Sequence, residues 1–155
     1  MRTDFVTNSS SSSFIVIFED KVSYDNSAET MSKLGFDEYH YSRVLKDLPE
    51  GKVTKSEMIK TVKEYIKARA ESKLLWDRVD MGWEEMQKYR NSKEFKEKVK
   101  NMVDNSMSEF LGELPKRAYY YGVLRYADED GDYFGFLEHE LMPALPFTKY
   151  RLNEH

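Results

Sequence analysis

Along the stretch DEDGDYFGFLEHEL, residues 128–141, Asp128, Asp130 and Asp132 alternate and the pair Glu138-His139 follows. Carboxylates beside an imidazole are the groups of general acid–base chemistry, and of mixed ligation of zinc or manganese. The acidic run starts like a calcium loop. Its twelfth position, counted from Asp128, is His139, where that loop needs a bidentate glutamate, and its flanks read as strands. The run therefore reads as a polar hairpin turn, with Gly131 free to take positive φ. On a returning strand over Tyr133–His139, neighbouring side chains face opposite ways. His139 then shares a face with Tyr133, Gly135 and Leu137, and Glu138 shares one with Phe134 and Phe136. Glu138 and His139 are the candidate catalytic residues. The chain has no HxxxH or HxH spacing, so no metal site and no cofactor are expected. Asp128 and His139, with Glu138 and His155, would hold a metal only if the fold made them converge.

A second candidate lies at the other end of the chain. Ser9 to Ser13 form an unbroken serine run that leads into the apolar Phe14-Ile-Val-Ile-Phe18. The tract lacks the glycines and lysine of a Walker loop, and it lacks the Gly-x-Ser-x-Gly of a nucleophile elbow. Its composition alone would suit a solvated arm. The β-prone pair Phe5-Val6 before it argues for a loop pinned at both ends. Asn8, Ser9, Ser10, Ser11 and Ser12 are accordingly expected to form an ordered loop whose amides and hydroxyls could cradle an anion.

Two further features bear on partners. Tyrosine is dense near the C-terminal end, and Tyr119, Tyr121, Tyr126 and Tyr133 are the candidate interaction surface, since exposed Tyr on a sheet is common binding material. Lysines and arginines crowd two stretches, Lys60 to Lys73 and Lys93 to Lys100, with acids interspersed. A solvated face with ion pairs is the favoured reading there, and a phosphate-contacting stripe the other.

The elements that must position these groups follow from periodicity. Ser13–Glu19 reads as a central strand, with Phe14, Val16 and Phe18 on one face and Ile15 and Ile17 on the other. Ser27 to Leu34 and Phe36 to Leu45 read as short helices. Thr54-Lys-Ser-Glu57 is a capping box opening a helix to about Val79, with Ile59, Val62, Ile66, Ala70 and Leu74 on one face. A turn or two of helix follows at Trp83–Tyr89. Asn91 to Glu94 opens another helix, carrying Phe95, Val99, Val103, Met107 and Phe110. Ala118–Ala127 and Tyr133–His139 read as two arms of a hairpin, and residues 140–155 have no clear period. Strand, helices and hairpin in that order predict an α+β fold: a single domain over residues 1–155 with a small, at least partly antiparallel sheet packed against several helices.

Composition limits the classes. At 155 residues, with nine Phe, eleven Tyr and two Trp, the chain can bury a core without staples. It has no cysteine, which fits a reducing compartment. Twenty-four basic and 28 acidic residues give a net charge of −4, without the basic excess of a DNA-wrapping protein. No apolar run approaches the ~20 residues that span a bilayer, and Asp4 and the serines interrupt any secretory signal. A cytoplasmic location without a membrane partner is expected.

RTDFVTNSSSSSFIV, the acidic turn Asp128–Asp132 and the pair Glu138-His139 together resemble small, uncharacterised proteins of Firmicutes and their prophages. The resemblance carries no established activity, and implies a mobile-element or accessory origin. With it, the favoured function is a non-enzymatic phage or prophage accessory protein that binds a host protein, one version being an inhibitor of a host defence nuclease. Nucleic acid is the less favoured partner. The alternative is a small hydrolase or a nucleotide- or phosphate-binding protein, with its site where the serine loop meets the hairpin. The separation of the serines from His139 discriminates between the two.

Overall fold

The computed structural model describes residues 11–153. Asn8, Ser9, Ser10 and His155 lie outside them. The chain divides into two compact units, one running to Met58 and resuming at Pro115, the other comprising Ile59–Leu114.

The first unit is built around the apolar strand. β1, Ser11–Phe18, is buried along its whole length, as expected of a segment apolar on both faces. The short helices α1, Lys21–Asp25, and α2, Ser27–Lys33, follow, and Asp20 caps the first by accepting from Ser23 N at 2.7 Å. α3, Glu38–Glu50, then leads through Gly51 into a two-residue strand β2, Lys52–Val53.

The second unit is helical, and α4, Lys55–Trp76, passes into it from the first. Its expected capping box forms: Thr54 N donates to Glu57 Oε1 at 2.8 Å, and Glu57 N donates to Thr54 Oγ1 at 3.0 Å. Val62, Ile66 and Ala70 are its buried stripe. α5, Trp83–Arg90, and α6, Lys93–Glu113, complete the unit. Ser92 caps α6 by accepting from Phe95 N at 3.1 Å.

After residue 115 the chain returns to the first unit as β3, Tyr120–Ala127. A 3-10 turn, Asp128–Asp130, leads into a continuous helical run: α7, Asp132–Phe136, then a π-helical segment, Leu137–Leu141, then a final turn, Met142–Ala144. β4, Thr148–Asn153, ends the described chain. The sheet order is β2-β3-β1-β4, antiparallel throughout. Phe14, Val16 and Phe18 pack with Tyr120, Leu124 and Tyr126 from β3, Val44 and Leu48 from α3, and Leu137, Leu141 and Met142 from the helical run.

The α+β class and the antiparallel sheet joining the N-terminal strand to C-terminal residues are as expected. The partition within residues 128–153 differs. Tyr133–His139 is helical, and the strand falls at Thr148–Asn153. Tyr133, Leu137 and Leu141 recur every four residues, and Glu138 and Met142 do so beside them. Alternation of Phe134 and Phe136 mimics a strand only in a window that stops at His139. In β4 the alternation Thr148, Tyr150, Leu152 spans three positions between charges, too few to stand out. Lys149 and Arg151 suit its place at the sheet edge.

Candidate functional site

The register of β1 decides what gathers at one end of the sheet. Ser12 pairs with Tyr126 of β3 on one side and Asn153 of β4 on the other. Cross-strand partners share a face, and residues two apart along a strand share it as well. Ser12 therefore lies on the core face with Phe14, and Arg151, opposite Phe14, lies there too. The Arg151 guanidinium sits 5.6 Å from the centre of the Phe14 ring, and its Nε donates to Ser12 Oγ at 3.1 Å.

The helical run brings Glu138 to this point. Its side chain is fully buried. A buried carboxylate is costly unless its oxygens are satisfied, and here both have partners. Ser12 Oγ donates to Oε2 at 2.9 Å, and Arg151 Nη2 lies 3.7 Å from the same oxygen. Asp128 N donates to Oε1 at 3.1 Å. Asn153 Oδ1, 3.0 Å from Ser12 Oγ, competes for the single hydroxyl proton; the charged carboxylate is the stronger acceptor. Glu138 thereby ties together the start of β1, the end of β3 and the helical run.

His139 completes the cluster. Its Nε2 lies 3.3 Å from Glu138 Oε1 and 3.5 Å from Asp128 Oδ2. One ligand atom from each of the three residues lies within 4.8 Å of the others. On a strand, Glu138 and His139 would have pointed to opposite faces. On a helical turn, neighbours diverge by only about 100° and can serve one site. The change from strand to helix is thus what assembles the centre. A π-helical turn at such a place is a frequent companion of function.

Burial is graded across the cluster. Glu138 is sealed, whereas the side chains of Asp128 and His139 retain 35% and 45% of their exposure. The centre is closed behind and open in front. Ligands about 2.1 Å from a tetrahedral ion stand about 3.4 Å from one another, and the two separations around His139 Nε2 bracket that value. Behind Glu138, Ser12 and Arg151 hold the oxygen that faces away from His139, as outer partners hold a metal-binding carboxylate. The arrangement can hold a divalent cation, although the spacing in the chain predicted no metal site.

The other expected site residues fall as follows. Ser11 and Ser12 belong to strand β1 and are buried, so they do not extend from a loop; Ser12 serves Glu138. Tyr126 is 3% exposed, its hydroxyl donates to Asp47 Oδ2 at 2.8 Å, and it is core material, not surface, because it shares the face of Ser12 and Leu124. Tyr133 is half-buried and donates to Tyr39 O at 3.0 Å. Tyr121 lies on the opposite face of β3 and is half-buried, while Tyr119 stays 44% exposed. Arg151 and Asn153 escape a sequence reading, since they sit in the segment without a period. Both tryptophans also do: Trp76 and Trp83 are each 76% exposed.

Ser12, Asp128, Glu138 and His139, distant in the sequence, meet at this one place. Comparison with protein-family models, with curated proteins and with solved structures finds no match for the chain.

Proposed function

We propose that this protein is a small hydrolytic enzyme whose centre is a divalent cation of the zinc or manganese class held by Asp128, Glu138 and His139. The observation that carries the reading is the pair of separations at His139 Nε2, 3.3 and 3.5 Å, on a cluster closed behind and open to solvent in front. Three protein ligands with an open position are the arrangement of catalytic sites, where the cation lowers the pKa of bound water to about 7. Asp128 and His139 stand at the open side, so substrate approaches past them, and buried Glu138 anchors the assembly. A non-enzymatic role was favoured by sequence because no catalytic spacing was visible; the juxtaposition of Ser12, Glu138 and His139 supports the alternative. A cytoplasmic setting belongs to the same proposal and rests on the absence of cysteine from the sequence.

Calorimetric titration of chelator-treated protein with zinc and with manganese tests the reading. One ion should bind per chain. His139→Ala should lower the affinity at least tenfold and leave the thermal midpoint in chelator unchanged. The loaded protein should then hydrolyse p-nitrophenyl acetate or p-nitrophenyl phosphate, and the variant should not. A flat titration with both ions removes the proposal, and binding without turnover would reduce it to a cation-binding protein.

A further inference from the structure

The helical unit carries a groove of about 490 Å³ that the centre in the first unit does not use. Its volume lies within the ~300–1,000 Å³ of small-molecule sites. α4 lines it with Lys63, Lys67 and Glu71, one turn apart along a single face. Arg90 closes α5 there, and α6 supplies Phe95, Val99 and Val103 with Lys96, Lys100 and Asp104. Five cations thus face two carboxylates in a chain whose net charge is −4.

Outside the groove some lysines of α4 and α6 are neutralised one turn away: Lys60 by Glu64, Lys93 by Glu97, Lys98 by Glu94. Within the groove, Lys100 is tied to Asp104 at 2.9 Å. Among the described residues, Lys63, Lys67, Arg90 and Lys96 make no ion pair with a carboxylate. Four like charges converging on one concavity repel each other, and an anion placed between them relieves that repulsion. Phe95, Val99 and Val103 lie one turn apart beneath the cations but are only 3%, 6% and 5% exposed, so the accessible surface of the groove belongs to the charged side chains and their aliphatic stems. A single carboxylate would leave most of the cations unmet.

We propose that this groove binds a polyphosphate anion, free or carried by a nucleoside, the phosphates meeting Lys63, Lys67, Arg90 and Lys96. The proposal is independent of the Asp128–Glu138–His139 centre, so the test is made on chelator-treated protein without added divalent cation. ADP, pyrophosphate and octanoate are titrated calorimetrically into wild type and into the double variant Lys67→Glu/Lys96→Glu. ADP and pyrophosphate should both bind, and octanoate least. The double variant should lose at least tenfold in ADP affinity while its thermal midpoint, read separately, remains that of a folded protein. A single variant, Lys96→Gln, should show a smaller loss and guards against misfolding of the double. No heat with ADP overturns the proposal. Octanoate binding as tightly as pyrophosphate overturns the role of the phosphate charge. Displacement of ADP by a single-stranded oligonucleotide, with affinity falling steeply with salt, would replace it with a nucleic-acid surface.

Discussion

Ser12 is the residue on which the sheet end turns. With no exposed surface, it accepts from Arg151 and donates to Glu138. Replacing Ser12 by Ala leaves a buried carboxylate oxygen short of a donor, which costs about 1–3 kcal/mol of stability. On the proposed reading it also removes an outer partner of the cation ligand Glu138, which should lower metal affinity by roughly 10–100-fold. Chemical denaturation in chelator and zinc titration read the two effects separately. Unchanged metal affinity with the stability loss intact would mark Ser12 as a purely structural clamp. The serine run was legible as a feature, and its adjacency to an apolar strand was too. That Ser11 and Ser12 belong to the strand was not, because a serine in a strand and a serine in a loop look alike until the pairing register is known.

At the scale of elements, the antiparallel neighbour of β1 carries one position where a side chain cannot be tolerated. Gly122 faces the core opposite Val16, and the Tyr120 ring lies over it, so that its hydroxyl reaches Leu48 O at 2.6 Å. A Cβ at Gly122 would collide with that ring. Gly122→Ala should therefore displace Tyr120 and lower stability by about 1–3 kcal/mol, with the near-ultraviolet circular dichroism of the tyrosines altered. Gly112, where a Cβ meets nothing, supplies the control; Gly112→Ala should be neutral or stabilising, being within a helix. The helices α4 and α6 were readable from their caps and their stripes of apolar residues. The run after Gly131 was not, since the residues that reveal its four-residue repeat, Leu141 and Met142, lie past the point where an aromatic alternation already suggests a strand.

Across the whole molecule, two buried phenols make stability depend on alkaline pH. Burial raises Tyr120 above the ordinary tyrosine range. Burial, and then the hydrogen bond to Asp47, raise Tyr126 still more. A folded state that holds these protons more tightly than the unfolded chain is stabilised fully below about pH 10, the unfolded value, and that stabilisation is lost as pH rises past it. Urea midpoints should fall between about pH 9 and about pH 11, and Tyr126→Phe should make that fall shallower. An identical slope in the variant would show that Tyr126 ionises freely. No helix among the described residues is long and apolar enough to cross a membrane, in keeping with the absence of long apolar runs in the chain.

By itself the amino-acid sequence determined the class of the fold, the central strand, the capped starts of α4 and α6 and the residue types able to do chemistry. Each depends on neighbours a few positions apart, through periodicity, capping and composition. Tertiary structure alone decided that Asp128, Glu138 and His139 face one another, that Arg151 and Ser12 stand behind them, and that four cations from three helices share a groove. Those juxtapositions join residues up to 139 positions apart, and only strand register and helix packing, which no local pattern encodes, bring such residues together.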